Sequence, residues 1–600
     1  MKLALNCVRL FIAIATCGLV LHDAALAKAD PTKVLRQSFE AADDGFDAQR
    51  TTSLYSVWVA EAIFESLLTY DYLARPAKLA PGAAETLPEI SDDGKKYVFH
   101  IRKGIYFAPD PVFKGVKREL TANDFAYTIK RLFDPKTRSP ALSPFVGKIV
   151  GMDELAEAAK KTGKLDYDAP VAGLQTPDRY TLVIRLNAPD QTLSYLLATV
   201  QTGALAREVM EHYGEDAGRH PVGTGAYYLK EYLPRSKIVL EANPDYRGFT
   251  WDFKPGSNPD DERIVREMKG KHMPQIGRVE IDIIEEDMGR WLAFDSKQHD
   301  IAGLSDAISP RVLDKDKLKP EVAAKGIRLY RYAGPVITYT YFNFRDPVVG
   351  GYTKDKIALR RAIAMSYRLD DEIMQIRFGQ GVRAQSDVPP GVNGFDPQYR
   401  TSITYDPQLA NKLLDYFSYK KGADGYRTMP DGNPLVVKIR SGPSARDKAI
   451  MEIWKRSLDA IGVRADFQVS NFADNLKAAY RCELAMWGLG GTASIPDGID
   501  MLESYYGPNA GQGNLGCYQS KAFDEAFAKA RVMPNGAERQ ALFDRMLRLL
   551  EADTVRALHV WPMRNWLSQP WVQGFKKHPI LHADWQYLDI DKDKKQDSRQ

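Results

Sequence analysis

Residues 221–248 read PVGTGAYYLKEYLPRSKIVLEANPDYRG. Pro221 fixes its own φ, while Gly223 and Gly225 open backbone angles closed to other residues, so the stretch begins as a turn. Tyr227 and Leu229 alternate with Tyr228 and Lys230, the period of a half-buried strand. Pro234 to Ser236 interrupts that pattern, Ile238 to Leu240 resumes it, and Asn243-Pro244-Asp245 ends it with turn chemistry. A hairpin is predicted. The Gly-Thr-Gly is not a dinucleotide fingerprint, because a third glycine is missing and a strand follows where a helix N-terminus is needed.

Working outward, residues 34–39 predict a first strand and residues 57–68 a helix with Val57, Ala60, Phe64 and Leu67 on one apolar face. Residues 97–107 predict a strand, a turn at Gly104 and a second short strand. Thr121 is an N-cap with Asp124 at its capping-box position, opening a helix that runs to Arg131. Residues 249–277 hold Trp251, several prolines and many charges, and read as a long surface excursion. Residues 335–344, PVITYTYFNF, are a strand candidate. Helices are predicted over 356–367, 449–461, 523–530 and 537–550. A short buried strand over 484–487 continues into Gly488-Leu489-Gly490-Gly491, and another strand covers 557–561.

These blocks resemble the family 5 extracellular solute-binding proteins, the dipeptide- and oligopeptide-binding proteins of bacterial ABC importers. The matching features are Pro-x-Gly-Thr-Gly-x-Tyr followed by Asn-Pro-x-Tyr, Ile63-Phe64-Glu65-Ser66-Leu67, the Tyr97 to Phe107 block, Thr121-Ala122-Asn123-Asp124, and Leu359-Arg360-Arg361-Ala362-Ile363. The resemblance spans about residues 34 to 588. It implies an α/β, two-lobed periplasmic binding protein fold (type II, cluster C-like) with an extra subdomain in the first lobe. The implied division is a first lobe over 28–64 and 201–333, its subdomain over 65–200, a second lobe over 334–562, and a return to the first lobe with a tail over 563–600. The crossovers near 333 and 562 would be the hinge.

The 600 residues are 44% hydrophobic and 27% charged with a formal net charge of +4, so several cores can form and neither nucleic acid nor a membrane surface is an expected partner. Lys2, Arg9, the apolar run 10–21 and Ala25-Leu26-Ala27 read as a cleavable secretory signal over 1–27; lipidation at Cys17 is the rival, with Thr16 a poor neighbour for it. The mature chain keeps Cys482 and Cys517, and an even pair in an exported protein is most simply a disulfide. Lys592, Lys594 and Lys595, interleaved with Asp591, Asp593 and Asp597, read as a solvated tail.

No His-Glu-x-x-His, Gly-x-Ser-x-Gly or phosphate loop is present, and the histidines are scattered, so no enzyme activity, metal or cofactor is expected. The expected function is capture of a peptide or peptide-like ligand in an interlobe cleft and delivery to the permease subunits of an ABC importer by a periplasmic monomer. Binding of metal chelates or haem is the alternative, and a secreted hydrolase a further one. By the resemblance, Trp487 and Trp561 face the cleft, and the glycines Gly488, Gly490 and Gly491 let backbone amides approach the ligand. Family members carry an aspartate three residues after that tryptophan, which pairs with a peptide amino terminus; here Gly490 stands there. Asp497 is the next carboxylate and Arg481 the nearest cation, so both join the candidate ligand-binding set.

Overall fold

The computed structural model describes residues 29–256 and 258–597. The leader expected over 1–27 lies outside the described residues. The hairpin forms as predicted, with Tyr227–Leu233 antiparallel to Lys237–Ala242. Lys237–Ala242 pairs with Ile276–Ile283, which runs parallel to Asp30–Phe39, completing a four-stranded sheet. Leu35, Phe39, Ile238, Leu240, Val279 and Ile281 point from it into one core, shared with helix Leu54–Ile63.

The glycines of the turn serve a different purpose from the one expected. Neither Gly223 nor Gly225 has a positive φ. A Cβ on Gly223 would sit 2.1 Å from the Ile63 carbonyl oxygen, and one on Gly225 2.5 Å from that of Ala62. The Gly225 N–H donates to the Ile63 carbonyl at 2.7 Å. The turn therefore seats on the end of the helix, with no room for a side chain. The same contact explains why the helix stops at Ile63 and not at residue 68: the turn takes the Ile63 carbonyl and Phe64 is already extended.

The subdomain has its own sheet, Glu89–Ser91, Lys96–His100, Thr181–Arg185 and Leu174–Asp178 in that order, over a core that includes Phe99, Phe125, Ile129 and Ile184. The capping box of helix Ala122–Leu132 is present, with the Asp124 carboxylate accepting the Thr121 N–H at 2.7 Å. The short strand expected at 105–107 is only an isolated bridge from Tyr106 to Glu119.

The second lobe is built on a five-stranded sheet in the order Arg464–Val469, Val436–Ser441, Met486–Thr492, Val336–Phe342 and Arg556–Leu558. Its two faces are covered by separate apolar clusters. Two connections join it to the first lobe. Arg328–Ala333 leads directly into Val336–Phe342, and Arg556–Leu558 into Val560–Ser568. The last of these is shared: its start pairs with Gly381–Arg383 and its remainder with Arg328–Ala333 and Ile301–Leu304. Cys482 and Cys517 form a disulfide across a separation of 35 residues.

Two surface readings are overturned. Residues 249–277 are not a surface excursion: Trp251 is fully buried, its Nε1 donates to the Tyr587 carbonyl at 3.2 Å, and Asp260–Met268 is a helix. The C-terminal segment covers that region, which local sequence could not show. The tail is not simply solvated either. Lys595 lies on helix Lys592–Asp597 and reaches the buried Asp300 carboxylate at 2.7 Å.

Candidate functional site

The site starts from a strand that sequence reading ended too early. Met486–Thr492 continues through the glycines, because Val336–Phe342 pairs with it all the way from Phe342–Met486 to Val336–Thr492. Two flanking bonds fix the parity of this antiparallel ladder: Ala493 N–H to the Pro335 carbonyl and Asn343 N–H to the Ala485 carbonyl, both 2.9 Å. Odd-numbered residues thus bond to Val336–Phe342, and Gly488, Gly490 and Thr492 turn their backbone groups the other way. On that side Val436–Ser441 pairs only at Met486 and Trp487. Beyond Gly488, no further strand among the described residues covers the edge.

The glycines are exposed at Gly488 and Gly490. A Cβ on Gly490 would meet nothing nearer than the Ile337 carbonyl oxygen at 3.7 Å and Thr338 Cγ2 at 3.8 Å. These positions have space where side chains are missing. Opposite Gly490 stands Thr338, whose Oγ1 accepts from Arg377 at 3.2 Å. Arg377 is buried and held by Glu372 at 2.6 Å. Glu372 also takes His559 Nδ1 at 2.9 Å and the Tyr367 hydroxyl at 2.8 Å. Although burial opposes its charge, these partners, His559 first, keep its carboxyl far below the usual carboxylate range. The network therefore fixes Arg377 behind the strand.

From the first lobe comes Asp306, just past strand Ile301–Leu304. Its half-buried carboxyl is raised by desolvation while Arg377, Arg446 and Arg564 pull it down. Arg446 lies in the first turn of helix Ala445–Asp459, and Arg564 on the shared connection; both are exposed. Asp306 is thus acted on by charges from both lobes and the connection, with Arg377, Arg446 and Arg564 lowering its carboxyl and Asp287 raising it.

The residues named from sequence divide into three groups. Gly488, Gly490 and Gly491 form the open strip. Trp487 and Trp561 are 4% and 5% exposed and belong to the core beneath it, with Phe472 at 5.5 Å from Trp487 and Phe395 at 5.5 Å from Trp561. The two charged candidates are engaged elsewhere. Asp497 is fully buried, pairs with Arg539 at 2.6 and 2.9 Å, and caps a helix through the Ile499 N–H. Arg481 is exposed and paired with Glu483 at 2.7 Å beside the disulfide. Asp306, Arg377, Arg446 and Arg564 were missed; they come from four separate stretches, and no local pattern links them. Among the described residues no group of His, Cys, Asp and Glu is arranged to hold a metal, and no helix is long and apolar enough to cross a membrane.

A family model, bacterial extracellular solute-binding proteins, family 5 middle, matches residues 78–513. Di/tripeptide-binding protein 2 of Pseudomonas aeruginosa is 25% identical, covering 94% of this chain and 96% of its own. Heme-binding protein A of Haemophilus influenzae is also 25% identical, over 78% of this chain and 76% of its own. The periplasmic binding protein DppA of Helicobacter pylori, solved with the peptide STSA, superposes with a TM-score of 0.67 at 20% identity, covering 93% of this chain and 98% of that one. That likeness shows the two-lobed α/β fold. By the family match, the chain belongs to the bacterial extracellular solute-binding proteins of family 5.

Proposed function

We propose that this protein is the periplasmic substrate-binding component of an ABC importer and captures peptides or peptide-like solutes between its lobes. The observation that carries the reading is the uncovered edge at Gly490, with Arg377 bonded to Thr338 on the strand opposite it. An extended ligand adds to such an edge as a further strand, through main-chain bonds that do not depend on its sequence. The names of the relatives, di/tripeptide-binding among them, favour a peptide. Trp487 and Trp561 support the strand from beneath, Asp497 holds the scaffold through Arg539, and Arg481 stays at the surface in its pair with Glu483.

In this reading the first lobe comprises 28–64, 201–333 and 563–600, the second lobe 334–562, and the subdomain 65–200. The connections at about 333 and 562 act as the hinge, and closure brings Asp306 toward Arg446. The closed, loaded monomer then docks on the permease. With the Arg446 and Arg564 guanidiniums exposed and acting on Asp306, the site selects for a ligand carboxylate over a ligand amine. Calorimetry on the mature protein with tripeptides, free or amidated at the carboxyl terminus, tests this. Amidation is expected to weaken binding at least tenfold, and Arg446→Ala to remove most of that difference. If no peptide binds, and native mass spectrometry of the purified protein finds haem or a metal chelate, the peptide reading fails.

A further inference from the structure

We propose that the first lobe carries a second ligand site, apart from the cleft, for a small aromatic compound of one or two rings bearing a hydroxyl group. A cavity of about 470 Å³ lies between the subdomain, the loop after the hairpin and the C-terminal segment. None of its lining residues falls between 334 and 562, so the second lobe contributes nothing to its walls. Its size is that of a small-molecule pocket.

The walls are aromatic. Phe249, Phe253 and Tyr587 form one cluster with ring centroids 5.6 to 6.3 Å apart, and Phe64 and Tyr246 add to it. Flat rings meeting at tilted and edge-on angles leave slots that suit another ring.

Two polar atoms in the lining lack partners. Glu65 gives one carboxylate oxygen to Arg247 at 2.6 Å, and its other oxygen is buried without a hydrogen bond. Tyr70 is 2% exposed and its hydroxyl is also unpaired. Buried polar groups are normally bonded, so two orphans in one cavity point to a missing ligand. Arg247 already pairs with Glu65, and the lining's other two charged side chains, Arg102 and Glu61, are of opposite sign, so the cavity offers no one-sided charge for an ion. What is needed is a neutral donor for Glu65 and an acceptor for Tyr70. An aromatic hydroxyl takes up the Tyr70 donor, and its ring supplies the fit to the walls.

The test uses the mature protein with 2-naphthol, read by its fluorescence, and naphthalene as the isostere lacking the hydroxyl. Saturable binding of 2-naphthol at one site, at least tenfold tighter than naphthalene, is expected. Tyr70→Phe removes only an unpaired hydroxyl, so the thermal midpoint should not fall. The variant should bind 2-naphthol at least threefold more weakly and naphthalene unchanged. Equal binding of the two compounds, no saturable binding, or indifference to Tyr70→Phe would each overturn the site. None of these readouts depends on what occupies the cleft.

Discussion

Two glycine-marked stretches, Gly223–Gly225 and Gly488–Gly491, look alike in sequence and are opposite in structure. At Gly223 a Cβ would strike a backbone carbonyl at 2.1 Å, and the glycine exists so that a turn can seat on a helix end. At Gly490 a Cβ would meet nothing closer than 3.7 Å. There the absence of a side chain leaves a strand edge open. The first glycine is required by packing inside the protein. The second leaves room for something outside it. A glycine in sequence says only that Cβ is missing, and the surroundings decide what that means.

The open strip lasts only if its ends are fixed, and removing the largest fixture should have the largest effect. Asp497→Ala leaves Arg539, 1% exposed, as a buried charge without its carboxylate. A loss of about 3–5 kcal/mol is expected in urea unfolding. A loss below about 1 kcal/mol would mean that solvent reaches Arg539. The disulfide comes next. It closes a loop of 35 residues that contains the whole glycine strand and Asp497. Replacing both cysteines with serine should cost roughly 3–4 kcal/mol in the chain-entropy picture. Thiol titration of the denatured, unreduced protein should find no free thiol; two would remove the bridge from the account.

The comparison itself is tested by one substitution made twice. Gly223→Ala forces a methyl against the Ile63 carbonyl and should destabilise by about 1–3 kcal/mol. Gly490→Ala meets open space and should change stability by less than about 0.5 kcal/mol. Equal effects would erase the distinction drawn between the two stretches.

How much of this was legible depends on the range of the interaction. The hairpin, the capping box of Thr121 and Asp124, and the disulfide pair were readable, because each rests on local periodicity, local bonds or simple parity. The glycine strand was cut short at Trp487, because glycine has low strand propensity and only the distant Val336–Phe342 partner holds it extended. Trp251 was misplaced for a similar reason: its cover, Tyr587, lies 336 residues away. Asp497 is a candidate ligand residue in the sequence only because it is the next carboxylate in order. Its partner Arg539, 42 residues on, was invisible from either position. Asp306 and the arginines around it could not have been assembled from sequence at all.

The smallest expected change in stability carries the most information about function. Gly490→Asp restores, at the position that resembles the family's amine-binding aspartate, the carboxylate this chain lacks. The strand can accept it, since the added Cβ fits at 3.7 Å or more from its neighbours. Arg377 is nearby through Thr338 but already bonded to Glu372, so the new carboxylate is not simply absorbed. The wild-type protein should bind a free tripeptide and its N-acetylated form with affinities within tenfold of each other. In Gly490→Asp the free form should gain at least tenfold over the acetylated one, about 1.4 kcal/mol. Calorimetry with both forms on both proteins reads this directly. A folded variant that keeps the wild-type ratio would show that a ligand amine never comes within reach of Gly490. The open edge would then have to be assigned to some other part of the ligand.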